Sequence, residues 1–298
     1  MTVQSVIKLQ SEEHDIINPD FFSTKEDYVI HLMHLSDYQR AQTIVSEKSV
    51  LDLGCNSGYG TNLLGEKATK IIGVDVSPLA IETAKSKYKK TNLTFQLVDG
   101  IRLPFDDATF DAVTSFQVIE HLVDYEIYFS EIKRVLRPNG VLILTTPNAE
   151  IRVRLGQKPW NRFHVHEFRI AELRELLTKY FDFSEVVGQH ANGLSYSTEY
   201  ERCIRARDAS ASKNNFNIKR VILNLLPESL VNYLRSYKSK SSSVKSVLLS
   251  DEEKKNYSLS DFFYKNSNND VALSLVACCS NNKISKNAAV KNFIPDYE

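Results

Sequence analysis

Residues 49–60 read S-V-L-D-L-G-C-N-S-G-Y-G. Val50, Leu51 and Leu53 form a short apolar run of the kind a buried strand makes, the chain bends from Gly54 to Gly60, and Thr61-Asn62-Leu63-Leu64 opens a helix. A strand, a glycine-rich turn and a helix make a loop in which backbone approaches a ligand that side chains would exclude.

Outward from this stretch, strand and helix patterns alternate. Strands are predicted at 50–53, 70–74, 93–98, 110–116 and 141–144, with helices at 59–66, 78–88 and 119–136 between them. Ser77 is an N-cap candidate with Pro78 in the first turn, and Arg137-Pro138-Asn139-Gly140 reads as a turn. Repeated strand–helix units with continuously apolar strands predict an α/β fold, a parallel sheet covered on both faces. Upstream, Tyr28, Leu32, Leu35, Tyr38, Ala41 and Val45 recur at helical spacing within 21–47, whereas residues 1–20 read as polar and weakly ordered. Downstream, 150–168 is irregular, 170–181 is a helix and 183–187 a strand. The stretch 192–267 is the least regular, with helices at 199–208 and 218–234, and the apolar run at 271–279 is a closing strand.

At 298 residues the chain is long enough for one large α/β domain or two small ones. Its 42% hydrophobic and 25% charged residues are those of an ordinary globular protein, and a net charge of zero gives no global pull toward nucleic acid. The first residues hold no long apolar core, so no signal peptide is expected, and no apolar run approaches the roughly 20 residues of a membrane helix. The four cysteines form no metal-ligand spacing and suggest a reducing compartment, with the cytoplasm as default.

The loop's glycines, Gly54, Gly58 and Gly60, do not fit the G-x-G-x-x-G dinucleotide fingerprint. Asp52 at the strand tip would meet a phosphate with like charge, but suits a ligand carrying an ammonium and a sulfonium. Asp75, closing I-I-G-V-D, can take both ribose hydroxyls, a device that NAD enzymes share. Val98-Asp99-Gly100 follows the third strand, where Asp99 can accept from an adenine amino group.

Here the sequence resembles the class I S-adenosylmethionine-dependent methyltransferases. V-L-D-L-G-C-N-S-G-Y-G is similar to their cofactor loop, G-V-D-V-S-P to the ribose-binding strand end and L-V-D-G to the adenine segment. F-D-A-V-T-S-F-Q-V-I-E-H-L and L-R-P-N-G-V-L-I-L-T-T-P-N are similar to their fourth and fifth strands. The match covers about 48–190 and the closing strand, and implies a Rossmann-like, seven-stranded, mostly parallel sheet. It implies S-adenosyl-L-methionine as cofactor, with contacts from Asp52, Gly54, Cys55, Asn56, Gly58, Asp75, Val76, Asp99, Gly100 and Gln117, and from Tyr38 and Arg40 on the N-terminal helix. Asn56 departs from the family's usual glycine; asparagine tolerates positive φ better than other side chains.

Methyl transfer is an in-line displacement in which positioning supplies much of the rate and a general base helps a hydroxyl acceptor. His121, after the fourth strand, and His164 with Glu167 in the mouth segment 160–168 are the catalytic candidates; the bland reading is that they only fix the loop. The resemblance extends to enzymes acting on sugars and other small molecules, with Asn148, Trp160 and Arg162 as substrate contacts. His164 and His166 on one side of an extended segment invite a metal reading, but the sequence offers no third ligand and no metal is expected. Arg152, Arg154, Lys158, Arg162 and Arg169 could hold an anionic substrate or form a solvated basic loop.

The resulting organisation is an N-terminal segment and lid helix at 1–47, a core at 48–191 and 268–280, an insertion at 192–267 and a tail at 281–298. The insertion reads as a cap, a homodimer arm or a partner surface. Between Lys213 and Lys245 it holds seven basic residues against Glu228 alone, interleaved with apolar ones, which suits either peripheral contact with an anionic membrane or a lid with a solvated basic edge. The expected activity is methylation of an oxygen, or less readily a nitrogen, of a small molecule or glycan precursor; a quinone-type lipid substrate and a non-catalytic cofactor-binding subunit are the alternatives. No nucleic-acid partner is expected, because Gln117-Val118-Ile119-Glu120 stands where an Asn-Pro-Pro-aromatic tetrad would mark an RNA enzyme.

Overall fold

The computed structural model describes residues 2–13, 15–214 and 248–281. The opening stretch forms β1 (Ser49–Leu53), followed by α3 (Tyr59–Leu64). Then come β2 (Lys70–Asp75), α4 (Pro78–Lys87), β3 (Leu93–Leu97), β4 (Phe110–Phe116), α5 (Tyr125–Val135) and β5 (Leu136–Pro147). Before them lie α1 (Val3–Glu13) and α2 (Lys25–Val45); after them come α6 (Ala149–Arg152), α7 (Ile170–Thr178), β6 (Phe183–Ala191), α8 (Gly193–Asn214), β7 (Phe262–Lys265) and β8 (Ser274–Ser280).

The strands form one sheet in the order β3-β2-β1-β4-β5-β8-β6-β7. The first five are mutually parallel, and the β5–β8, β8–β6 and β6–β7 pairs are antiparallel. The sheet therefore has eight strands rather than seven. The extra one, β7, comes from the end of the 192–267 region, which is thus only in part an insertion outside the core.

Continuous apolar strands bury both faces. Val50, Ile71 and Ile143 pack under α2, α3 and α4 through Tyr38, Ala41, Leu64 and Ile81. Their neighbours Leu51, Leu142 and Leu144 face the other way, under Phe129 and Ile132 of α5 and Leu173 and Leu177 of α7. Ser77 caps α4 by accepting from the Ala80 amide, with Pro78 at the first turn, as predicted.

Four local expectations change. Residues 3–13 are helical: Val3, Val6, Ile7 and Gln10 form one stripe along the cavity, and the Thr2 hydroxyl accepts from the Ser5 amide. The helix predicted at 119–136 splits into a 3-10 turn, Ile119–His121, and α5, because Asp124 caps a fresh start by accepting from the Ile127 amide at 3.0 Å. Residues 137–140 are a bulge within β5, since Leu136 pairs with Phe110 and Val141 with Ala112. The helix predicted at 199–208 is the middle of the longer α8. The helix predicted at 218–234, the serine- and lysine-rich run after it, most of the basic 213–245 stretch and the tail beyond 281 lie outside the described residues.

All four cysteines are buried thiols. Among the described residues no helix is long and apolar enough to cross a membrane.

Candidate active site

The carboxyl ends of β1, β2, β3 and β4 open into a cavity of about 430 Å³, where open parallel sheets place their ligands. At its outer end the loop after β1 is shaped from beneath. Gly54 has φ +82°, and a Cβ there would stand 2.4 Å from Val118 Cγ2. Gly58 has φ +81°, and a Cβ there would meet the Phe95 ring at 2.6 Å. Gly54, Cys55 and Asn56 line the cavity; Gly58 does not, so its glycine serves packing and the start of α3.

Asp52 also differs from expectation. Its carboxylate is wholly buried beneath the loop, accepting from Thr61 Oγ1 at 2.6 Å and Thr114 Oγ1 at 2.7 Å, and it does not line the cavity. Burial, with the nearby Asp75 charge, pushes it up to about 6 against the pull of the two hydroxyls. Asp52 holds β1, α3 and β4 together under the ligand loop rather than meeting a ligand cation.

Asp75 and Val76 do line the cavity. The Asp75 carboxylate accepts the Asn56 amide on one oxygen and the Ser77 amide on the other, both at 2.9 Å. Asn56 sits at φ +45°, and its side chain, absent from a glycine, ties down the N-terminal segment: Oδ1 accepts the Ile17 amide at 2.9 Å and Nδ2 donates to the Asp15 carbonyl at 3.2 Å.

The adenine-side expectation is half met. Gly100 lines the cavity with Val98, Ile101 and Leu103, but Asp99 does not. The Asp99 side chain is exposed and caps its own turn through the amides of Arg102 and Ile101, which hold it below its ordinary value. Gln117, at φ +58°, lines the cavity and donates to Thr145 Oγ1 at 3.1 Å. Tyr38 lines it too, with its ring seated on Gly60. Arg40 instead lies over the Tyr264 ring in a separate surface hollow, because it is two residues on from Tyr38 and so on another side of α2.

At the inner end the mouth segment folds over the 3-10 turn. The Glu120 carbonyl accepts the amides of Val165 at 2.7 Å and His166 at 3.2 Å. This sets His164 edge-on to His121, with ring centroids 4.8 Å apart. His164 Nδ1 donates to Glu167 at 2.6 Å, and the same buried carboxylate is paired with Arg152 at 3.0 Å. Burial raises Glu167, but the His164 bond and the Arg152 guanidinium together leave it below its ordinary value. His121 Nδ1 lies 2.9 Å from the Phe163 carbonyl oxygen, which only accepts, and Gln10 of α1 reaches both partners.

Of the residues assigned to substrate, Trp160 lines the cavity, beneath the guanidinium groups of Arg152 and Arg202. Asn148 does not: it is fully buried, donates to the Asn269 and Ala272 carbonyls and caps α6. Arg162 is also outside, exposed and paired with Glu13 of α1 at 2.9 Å. His166 turns away from His164 toward Glu172, so the two do not share a site. Arg154 and Arg169 pair with Asp208 and Glu150, leaving Arg152 as the one member of that basic group on the cavity wall.

Residues missed in the sequence also contribute. Val3, Val6, Ile7 and Gln10 of α1, Ile16 and Ile17, Met33 and His34 of α2, and Arg202 with Glu199 of α8 all line the cavity. Burial holds His34 down to about 3, so it is neutral.

Residues 51–144, which build β1 through most of β5, match a family described as a methyltransferase domain. This chain carries a class I S-adenosylmethionine-dependent methyltransferase domain. A probable S-adenosylmethionine-dependent methyltransferase of Mycolicibacterium smegmatis is 37% identical over 160 residues, 53% of this chain and 62% of that protein. A fatty-acid O-methyltransferase of the same organism is 29% identical over 55% of this chain and 57% of its own, and the mitochondrial ubiquinone biosynthesis O-methyltransferase of Schizosaccharomyces pombe is 29% identical over 43% and 50%. The chain thus spans about half to three fifths of the length of the curated relatives it matches. Among solved structures, a possible histamine N-methyltransferase from Thermotoga maritima superimposes with a TM-score of 0.51 at 16% identity, covering 86% of this chain and 92% of its own. The YcgJ protein of Bacillus subtilis does so at 0.50 and 18%, covering 85% and 99%. Both share the fold.

The cofactor of this methyltransferase domain is S-adenosyl-L-methionine, and the residues present fit it. Asp75 offers a carboxylate whose acceptor capacity exceeds the two backbone donors it serves, suited to ribose hydroxyls. Val76, Gly100, Ile101 and Leu103 would flank the adenine, and the Gly54–Asn56 backbone with Gln117 would hold the amino-acid end.

Proposed function

We propose that this protein transfers the methyl group of S-adenosylmethionine to an oxygen of a small molecule with a largely apolar body. The cofactor, when bound, supplies an electrophilic methyl on a sulfonium. The observation that carries the acceptor reading is the inner end of the cavity. There His164 lines the cavity with its Nδ1 proton held by the buried Glu167–Arg152 pair, and its Nε2 lies 2.9 Å from Asn161 Nδ2, which an acceptor hydroxyl would displace. In the transfer the new O–CH3 bond forms as the S–CH3 bond breaks, and the acceptor's proton goes to His164 Nε2. Glu167 and Arg152 fix that ring, and Trp160 flanks it.

The apolar body is supported by the wall that α1 and α2 supply, Val3, Val6, Ile7, Ile30 and Met33. A fatty-acid O-methyltransferase and a ubiquinone biosynthesis O-methyltransferase among the relatives support the same class, so the lipid-like acceptor gains on the glycan precursor. Incubation with methyl-labelled cofactor and extracts split into apolar small molecules, sugar nucleotides and RNA tests the reading. Label is expected in the apolar fraction, with the rate reduced about 100-fold or more in His164→Ala. Label confined to sugar nucleotides would overturn the acceptor class, and labelling of no fraction by a chain that binds the cofactor would favour a non-catalytic subunit.

A further inference from the structure

We propose that Glu120, His121 and His164 form a binding site for a divalent transition cation of the zinc type. Among the described residues these three bring one ligating atom each to within 4.8 Å of one another. All three line the cavity. A second observation points to a ligand. Glu120 is 1% exposed, and while its Oε2 accepts from Thr146 Oγ1 at 3.0 Å, its Oε1 is buried without a hydrogen-bond partner. An orphaned carboxylate oxygen beside two imidazoles is what a cation would complete.

With Nδ1 of His164 on Glu167 and Nδ1 of His121 on the Phe163 carbonyl, a cation would take Nε2 of each ring, displacing the Asn161 side chain from His164 Nε2. A carboxylate behind one metal-ligating histidine and a carbonyl behind the other is the outer shell such sites use. Two histidines and one glutamate with an open side suit zinc in a three-ligand site. Around zinc, tetrahedral ligand atoms stand about 3.3 Å apart. Binding therefore asks the three ligand atoms to close by up to about 1.5 Å, with the Asn161–His164 Nε2 contact giving way.

The open coordination position faces the cavity, where the acceptor oxygen belongs in the methyl-transfer reading; in that respect only, the inference rests on it. A cation there would hold that oxygen as an anion, whereas in the metal-free protein Nε2 takes the proton itself.

The test uses the full chain after chelator dialysis, titrated with Zn2+ by calorimetry and with Co2+ by visible absorption, and separately with S-adenosylmethionine. One Zn2+ per chain is expected, with Co2+ giving the intense bands of a low-coordinate site. His121→Asn and His164→Asn should each weaken Zn2+ at least ~100-fold, and Glu167→Gln about 10- to 100-fold. Melting curves and cofactor binding establish that each variant is folded; the His164 substitution lies in a surface-crossing segment and is the fallback if His121→Asn is not. No stoichiometric Zn2+ binding, or binding unchanged in folded His121→Asn or His164→Asn, would overturn the site. Cofactor binding without Zn2+ binding would sink the metal site alone, and loss of both would sink the transfer reading with it.

Discussion

Asp52 and Asp75 end neighbouring strands and do opposite work. Asp75 reaches the cavity with both oxygens already organising backbone amides, so removing it strips a charged acceptor from the ligand. Asp75→Ala should weaken S-adenosylmethionine by about 10- to 100-fold, the worth of one or two charge-assisted bonds. Calorimetry checks this, and an unchanged affinity would remove Asp75 from the cofactor site. Asp52 instead acts on stability. Its folded value of about 6 exceeds the ordinary 3.8, chiefly through burial. The folded chain therefore holds this proton more tightly than the unfolded chain. The resulting contribution is complete below pH about 4 and is lost as the pH climbs through about 6. A displacement of that size corresponds to roughly 3 kcal/mol. Urea midpoints of the native protein should therefore decline relative to Asp52→Asn across that window, and parallel curves would refute the assignment.

At the scale of elements, α2 and α3 meet through a glycine that tolerates no substituent. A Cβ on Gly60 would stand 2.0 Å from Tyr38 Cζ, and the Tyr38 ring is itself wedged against Phe116, with centroids 4.7 Å apart. Gly60→Ala should cost about 1–3 kcal/mol, the usual penalty of overpacking. Thermal melting measures it; a neutral result would mean that α2 shifts freely over the sheet. The elements that sequence made legible are those with a dominant period: the strands from β1 to β5, the stripe of α2 and the cap of α4. What it concealed depends on contacts between distant residues. β7 is four residues long and pairs with β6 across about seventy residues of chain, beyond the reach of any local pattern. The stripe of α1 was present in Val3, Val6, Ile7 and Gln10, but its four members are diluted by polar neighbours. In the site, strand ends announced Asp75, Gly54 and Gln117 correctly as cavity residues. Asp52, Asp99 and Asn148 stand in motif positions too, yet strand direction and turn geometry send their side chains into the scaffold. Arg202 and Glu199, on a helix far along the chain, carried no motif at all.

Over the whole molecule, one cavity joins the strand ends to the helices that cross them, and both ends are roofed by the same short segment. Ile7 lies beside Gly100, Gln10 on His121, Glu13 on Arg162 and the Ile17 amide on Asn56. The asparagine in place of the loop glycine is what fastens this roof at the cofactor end. A spent cofactor leaving on this side requires residues 3–13 and 15–17 to part from some of these anchors, a displacement that sweeps through solvent. Turnover should then feel solvent friction: kcat is expected to fall nearly in proportion to relative viscosity in sucrose, with Asn56→Gly relieving part of that dependence. A kcat indifferent to viscosity would place the slow step in the transfer itself.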